Sequence, residues 1–495
     1  MKPSKVEFGT VYLVGAGPGD PRLLTLRGHE LLGDADIVVY DYLADASLLS
    51  FASPAAELVD VGKRPNRPMA QEEINAILVD AARRYGTVVR LKGGDPMLFG
   101  RGGEELEALQ SAGIKFEVVP GVPSAIAVPA YGGIPVTHRG VSTSLTVITG
   151  HRQGDAADDT DYAALARLGG TIVVLMGVGH RGEIAARLIA AGLSPKTPVA
   201  AVQWGTRPEQ ESYRGELENL AVMKVRSPAT IIIGEVARFN FNFFESRPLF
   251  GKRIIVTRAL NQAGVLARAL SDLGARVISA PAISIVAPSD GFQAMDDAIS
   301  KISDFRYLVF TSANGVEAFL DRCDDYRKLA GIKIAVVGSA TMEALRQRHV
   351  GVDLVGDRFV AEGLLEVFPS GSGGVLVPQA RVARDVLVEG LRLKGYAPHV
   401  VQAYQTIPYQ PSERELQEVT SADAICFTSS STVRNFVEIY GRDRLPSRVF
   451  SIGPVTTETA REMDIGVTAT AEVHNIEGLL EVVLRSMTSS KASLP

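Results

Sequence analysis

Cysteine is scarce: the 495 residues hold two, Cys323 and Cys426. Two thiols so far apart provide neither a disulfide framework nor a thiolate metal site. Both lie in apolar stretches of the kind that bury an inert thiol. The seven histidines are scattered, without a His-Glu-x-x-His pattern or a Cys/His cluster, so no metal is expected. No run reaches the roughly 18 apolar residues of a membrane helix. The opening residues, MKPSKVEFGT, lack the apolar stretch of a signal peptide. A cytoplasmic protein without a membrane partner is expected. An excess of positive charge is also missing. The formal net charge of −5 argues against a nucleic-acid partner. It leaves room for an acidic small substrate, which a local arginine cluster can bind.

What is present is a globular composition, 46% hydrophobic and 22% charged. The length suggests about three or four structural domains. Short apolar runs at Val11–Val14, Ile37–Tyr40, Thr87–Leu91, Ile172–Met176, Ile254–Val256, Tyr307–Thr311, Lys333–Val337, Ala424–Thr428 and Val449–Ile452 read as buried strands. Helical patterns lie between most of them, which predicts an α/β chain with parallel sheets. The clearest break is Phe239–Gly251, where Phe239, Phe241, Phe243, Phe244 and Phe250 crowd together. So aromatic a linker is expected to pack against a domain surface. Beyond it an internal repeat emerges. Phe310-Thr311-Ser312 with Val316 and Phe319 recurs as Phe427-Thr428-Ser429 with Val433 and Phe436, and Gly338/Thr341 recurs as Gly453/Thr456. The repeat predicts two similar α/β lobes facing one another.

Gly15-Ala16-Gly17-Pro18-Gly19-Asp20 follows the first strand, with Asp20 suited to an N-cap and Pro21 to the first helical position. A nicotinamide dinucleotide site is one reading, with Asp41 as its ribose-binding acid. Its fingerprint needs Gly or Ala where Asp20 stands, and a carboxylate there repels a pyrophosphate. A neutral or cationic ligand fits better. A second glycine cluster, Gly93-Gly94-Asp95-Pro96 and Phe99-Gly100-Arg101-Gly102-Gly103, is the density expected where backbone touches a ligand. Pro120–Ala125 and Gly132–Arg139 read as further ligand loops.

In order, GAGPGD, LKGGDP-x-x-FGRGGEE, PGV-x-SA, GGIPVTHR, VVLMG and PATIIIGEV resemble the tetrapyrrole methylase family over about residues 8–245, and within it the uroporphyrinogen-III C-methyltransferases. The resemblance implies two α/β lobes (about 8–119 and 120–245), S-adenosylmethionine in the cleft between them, S-adenosylhomocysteine as a product, and a homodimer. By motif, cofactor contacts fall on Pro18, Gly93, Gly94, Asp95, Leu98, Pro123, Ser124, Met176, Gly205, Ala229 and Thr230. Pro123 stands where Thr is common in the family, and Leu98 where other aliphatic residues occur. The implied reaction is double methylation of uroporphyrinogen III to precorrin-2. Asp41 matches the family's proton acceptor, and a strand-end cap is its other reading. Lys63 matches the proton donor, with carboxylate binding as the alternative. Arg64, Arg67, Arg101, Arg139 and Arg152 are candidates for the substrate's carboxylates.

The second half, about residues 250–490, resembles uroporphyrinogen-III synthase. The motifs are VTRA at Val256–Ala259, TSANGV at Thr311–Val316, VGSAT at Val337–Thr341, AYQT at Ala403–Thr406, FTSSSTV at Phe427–Val433 and IGPVT at Ile452–Thr456. The resemblance implies closure of hydroxymethylbilane, with loss of its hydroxyl and inversion of ring D, without metal or cofactor. Tyr404 matches the tyrosine that assists departure of the hydroxyl, and hinge packing is its other reading. Arg258, Thr311, Ser312, Ser339, Thr428, Ser429, Ser430 and Thr456 are expected to bind substrate. The implied lobes are about 251–286 with 408–490, and about 287–407, within a half spanning 246–495 after a methyltransferase half of 1–245. No segment is left for a dehydrogenase–ferrochelatase. Three rivals stand beside this reading: a methyltransferase whose C-terminal half only binds tetrapyrrole or regulates, a nicotinamide enzyme, and a non-catalytic two-lobed anion binder. Precorrin-2 leads to siroheme or to cobalamin, and the sequence does not choose.

Overall fold

The computed structural model describes residues 8–488 except 54, 63–68, 151–159, 258–263, 357–360 and 382–384. Lys63, Arg64, Arg67, Arg152 and Arg258 therefore lie outside the described residues. The chain is α/β and divides into two compact units. One comprises Met1–Ala280, Gln417–Val433 and Arg444–Pro495, the other Pro281–Leu416 and Arg434–Asp443. No helix among the described residues is long and apolar enough to cross a membrane.

The first unit begins with a five-stranded parallel sheet built from β1 (Thr10–Gly15), β2 (Ile37–Tyr40), β3 (Glu57–Asp60), β4 (Thr87–Lys92) and β5 (Lys115–Val119), in the order β3-β2-β4-β1-β5. Its central strands are apolar on both faces because helices cover both: Val11, Leu13, Val14, Val38, Val39, Val88 and Val89 are wholly buried. The edge strand β3 is polar and mostly exposed, so its apolar content gave no signal.

A second sheet holds β6 (Leu145–Thr149), β7 (Thr171–Leu175), β8 (Pro198–Gln203), β9 (Glu211–Glu216) and β10 (Ala229–Ile233), in the order β6-β7-β10-β8-β9. Here the expectation of parallel pairing is corrected. Only β6 and β7 are parallel, and β7-β10, β10-β8 and β8-β9 are antiparallel. The connection over residues 204–210 between β8 and β9 is too short for the crossover a parallel pair requires.

The phenylalanine-rich linker packs as its composition predicted. Phe239 stacks on His138 with ring centroids 4.6 Å apart, and Phe244 meets Tyr131 at 4.7 Å and Phe250 at 5.3 Å. Arg214 pins the segment by donating to the carbonyls of Ala237, Phe239 and Gly132. At the far end Leu249 is buried with Ile254 and Leu270 in the core of the next sheet. Phe241 and Phe243 stay exposed.

The remaining strands are β11 (Arg253–Val256), β12 (Arg276–Ser279), β13 (Ile283–Val286), β14 (Phe305–Phe310), β15 (Lys333–Val336), β16 (Leu354–Val355), β17 (Gly374–Ala380), β18 (Ala397–Pro408), β19 (Ala424–Phe427), β20 (Arg448–Ser451) and β21 (Ala469–Thr470). The first unit's third sheet runs β12-β11-β19-β20-β21, all parallel. The second unit's sheet runs β13-β18-β17-β14-β15-β16, parallel except for its edge strand β13. Strip off β13 and the two orders correspond, strand for strand, up to a cyclic shift along the chain. The repeat read from sequence sits at equivalent points. Phe310 and Phe427 end matching strands, and the following helices bury Val316, Phe319, Val433 and Phe436. The expected lobe of 287–407 falls inside the second unit, which also takes in the end of the helix Ser430–Tyr440.

Candidate active sites

At the C-terminal ends of β1, β4 and β5, three glycine-bearing loops meet. Gly17 and Gly94 exchange backbone hydrogen bonds, with N–H to O distances of 3.2 and 2.7 Å. A Cβ on Gly121 would lie 2.2 Å from the Gly94 oxygen and 2.7 Å from the Gly15 Cα, so only glycine permits this approach. Asp95 ties the loops together: its carboxylate accepts the N–H groups of Met97 (2.8 Å), Leu98 (3.2 Å) and Gly121 (3.0 Å). A Cβ on Gly94 would just touch Pro123 and Ser124, with Ser124 opening the helix Ser124–Tyr131.

The second sheet supplies the facing wall. Met176 (φ 54°), Trp204 (φ 48°) and Thr206 (φ 70°) follow β7 and β8 in left-handed backbone, as do Phe99 (φ 52°) and Arg101 (φ 58°) after β4. Such conformations cost of order 1 kcal/mol or more for residues with a Cβ, and they gather at ligand clamps. Gly205 presses on Val128, and the Gly19 side of the Pro18 loop meets Arg207. Leu98 packs with Ala125, Val128 and Leu175, while Ala229 and Thr230 lie in β10 beside β8. The loops that carry these residues thus meet between the first two sheets of the first unit.

Asp20 caps the short helical turn Pro21–Leu23, accepting the Arg22 N–H at 2.9 Å. It also receives the Tyr131 hydroxyl at 2.9 Å, while its own N–H donates to Thr206 Oγ1. Burial, then the adjacent Asp20 charge, pushes the Tyr131 phenol up to about 12, so it remains a donor. Asp20 is therefore a latch between the sheets and is not turned outward to meet a ligand.

Asp41 follows β2 at the mouth of these loops, and its carboxylate accepts Arg90 Nη2 at 2.7 Å. Sequence reasoning missed the cluster behind it: Arg90, Lys92 and Glu105, all buried. Glu105 Oε1 accepts from Lys92 Nζ (2.7 Å), Arg90 Nε (3.2 Å) and Gln71 Nε2 (3.2 Å). Burial, then the like charge of Arg90, pulls the Lys92 ammonium below the usual lysine range, against the opposing pull of Glu105 and Asp41. The signal was two cations spaced by two in the strand TVVRLK, hence on one face. Of the predicted substrate arginines, Arg101 pairs with Glu104 at 2.6 Å on the surface, and Arg139 is exposed in a turn. Tyr42, Leu43, Met97 and Met176 form exposed apolar surface near Asp41 and the glycine loops.

The synthase-like residues divide between the units. In the first, Ser429 and Thr432 cap the helix after β19, where Ser430 receives the Thr459 hydroxyl at 2.8 Å and Ser429 meets Ser431 at 2.9 Å. Thr428 is half-buried just before them, Thr456 is buried within its helix, and the buried Thr257 Oγ1 has no hydrogen-bond partner among the described residues. In the second unit, Ser312 caps its helix by accepting the Gly315 N–H at 3.2 Å, and its hydroxyl lies 3.0 Å from that of Tyr404. Thr311 adjoins Ser312, and Ser339 is exposed at the first turn of the helix after β15.

Over residues 10–221 the chain matches the tetrapyrrole (corrin/porphyrin) methylases, and over residues 264–481 it matches uroporphyrinogen-III synthase HemD. The porphyrin biosynthesis protein HemD of Ruminiclostridium josui is 38% identical, across 97% of this chain and 98% of its own length. The uroporphyrinogen-III C-methyltransferase of Bacillus subtilis (strain 168) is 43% identical, across 66% of this chain and 67% of its own. Among solved structures, the uroporphyrin-III C-methyl transferase of Thermus thermophilus complexed with S-adenyl homocysteine is 45% identical, covering 46% of this chain and 99% of that chain with a TM-score of 0.42.

Proposed function

As the chain belongs to the fused tetrapyrrole methylases and uroporphyrinogen-III synthases, we propose that one polypeptide closes hydroxymethylbilane to uroporphyrinogen III and methylates that product twice to precorrin-2. It is a bifunctional enzyme of porphyrin and siroheme-type biosynthesis, a methyltransferase joined to a lyase. The observation that carries this is the order of the two matches along one chain, since the product of the second half is the substrate of the first. We assign the methyltransferase to residues 1–245 and the synthase to 246–495, with the lobe boundaries given above. A cytoplasmic homodimer held through the methyltransferase half, with precorrin-2 passing to siroheme or cobalamin, completes the reading.

S-adenosylmethionine fits the residues present. The loops 15–20 and 93–98 carry no basic side chain and offer closely approached backbone, which suits a cationic ligand held largely by carbonyls and amides. Pro18, Gly93, Gly94, Pro123, Ser124, Met176, Gly205, Ala229 and Thr230 would hold it, with Asp95 shaping the loop and Leu98 closing one side. When bound, it supplies an electrophilic methyl group on a sulfonium. Asp41 accepts the proton released as the macrocycle's double bonds move, and Lys63 acts as donor. Exposed Tyr42, Leu43 and Met97 offer an apolar bed for a macrocycle whose carboxylates reach arginines at the rim, among them Arg101 and Arg139. Arg64, Arg67 and Arg152 are assigned the same task.

In the synthase half, Ser312 accepts the Gly315 N–H and shares a hydrogen bond with the Tyr404 hydroxyl; we assign the Ser312 O–H as its donor. The Tyr404 proton is then left for the departing hydroxyl, which it assists without a change of charge. Hydroxyls and amides of Thr311, Ser339, Thr428, Ser429 and Ser430, at helix starts, bind carboxylates, with Arg258 and Thr456 in support. The deciding experiment incubates the protein with hydroxymethylbilane, with and without S-adenosylmethionine. Isomer III alone in the first case and a doubly methylated product in the second are expected. Isomer I without the cofactor would reduce the C-terminal half to a binding module.

A further inference from the structure

The charged cluster behind Asp41 exceeds what a strand-end carboxylate needs. The Arg90 side chain is 2% exposed and Glu105 wholly buried, yet one guanidinium serves two carboxylates: Nε faces Glu105 at 3.2 Å and Nη2 faces Asp41 at 2.7 Å. The Arg90 Nη1 also reaches the Val39 and Leu91 carbonyls at 3.4 Å, which fixes the plane of the fork. Glu105 Oε2 has no hydrogen-bond partner among the described residues. Burying such groups costs several kcal/mol per ion, and well-packed apolar residues of similar volume are often as stable or more so. Asp41, 28% exposed, is the member that reaches solvent.

Building on the reading of Asp41 as proton acceptor, we propose that Arg90 and Glu105 are positioning residues for methyl transfer. Arg90 orients the Asp41 carboxylate toward the reacting macrocycle, and Glu105, bonded to the same guanidinium, fixes the Arg90 that does so. The proton leaving the macrocycle bonds to an Asp41 oxygen, which becomes a neutral carboxylic acid. The cluster then carries one more positive charge until that proton leaves through the exposed edge of Asp41. Because Glu105 draws on the same guanidinium, its negative charge tempers the pull of Arg90 on Asp41, and Lys92 partly offsets it from the same face of β4. Among the described residues, the other charged groups nearby include Asp60, whose carboxylate accepts the Gly62 N–H beside Tyr42, and Arg207, which bonds the Leu43 carbonyl and faces Asp45.

The test is the pH profile of methylation kcat/KM for the full chain with uroporphyrinogen III and S-adenosylmethionine. The base must be ionised, so its protonation sets the acid limb. Arg90→Gln removes the neighbouring cation and should move that limb upward by about one pH unit, with Arg90→Lys restoring part of the shift. Glu105→Gln frees Arg90 to act on Asp41 alone and should move the limb downward. Binding of S-adenosylhomocysteine and ring closure by the same chain report whether each variant is folded. Should Arg90→Gln fail to fold, the downward shift in Glu105→Gln decides. Folded variants whose acid limbs stay put, or move in the same direction, would overturn the proposal while Asp41→Asn still abolishes methylation and spares ring closure. Unimpaired methylation in Asp41→Asn would overturn the underlying reading as well.

Discussion

The hydroxyl of Ser312 lies 3.0 Å from the hydroxyl of Tyr404, so the residue that caps the helix Ala313–Leu320 also orients a phenol on the neighbouring strand β18. Tyr404→Phe should therefore slow ring closure by about a hundredfold, the range of a lost proton donor, and leave methylation of supplied uroporphyrinogen III unchanged. Ser312→Ala should slow it less and lower stability by about 1 kcal/mol through the lost cap. Equal loss of both activities in Tyr404→Phe would point to misfolding instead.

Gly121 touches two other loops through backbone alone. A Cβ there must push Gly94 and Gly15 apart. Gly121→Ala should weaken S-adenosylhomocysteine binding by about tenfold or more, equivalent to roughly 1.4 kcal/mol, with ring closure retained. Calorimetry would measure it, and wild-type affinity would mean that the loop contacts do not form the binding site.

Arg276 joins the two halves within the first unit: its guanidinium bonds Glu209, beyond β8, and Glu418 at 3.3 Å. Glu209 Oε2 is already buried without a partner among the described residues. Arg276→Ala should cost about 2 kcal/mol, since it removes the cation facing the partly buried Glu209 carboxylate. Thermal unfolding of the full chain would register the loss. An unchanged transition would show that water replaces the guanidinium at no net cost.

Burial pushes the Cys426 thiol up to about 12. Because a thiol in the unfolded chain ionises near 8.5, the unfolded state releases its proton first as pH rises. This contribution to stability is thus full below about pH 8.5 and declines from there toward pH 12. Stability measured by denaturant across that window should fall with pH, and less steeply in Cys426→Ala. Native protein near pH 8 should also resist thiol reagents, since both cysteines are buried. Rapid labelling would contradict the burial.

Much of the fold was legible because its signals are local. All nine apolar runs became strands, with ends displaced by a residue or two, because a centrally placed parallel strand is apolar on both faces. Of the strands that escaped notice, β3 and β9 are edges with polar or exposed residues, whereas β8, β10 and β17 are central and buried and were missed despite their apolar runs. The antiparallel pairing of β8 and β9 was missed because the short link across Trp204–Gln210 does not look like a hairpin turn in sequence. Asp20 was rightly seen as a cap, but its bonds to Tyr131 and Thr206 span more than a hundred residues and leave no local trace.

By itself the sequence determined the α/β class, the glycine loops, the doubled motif of the second half and the identity of the two joined families. Each is written in residue type and spacing, which the backbone reads locally. Tertiary structure alone decided which charges share a site. Asp41, Arg90, Lys92 and Glu105 come from two strands and a helix, and only the pairing of β2 with β4 and the packing of the helix Gly102–Ser111 bring them together. Electrostatic coupling depends on distance and burial, and neither is fixed until the sheet has formed.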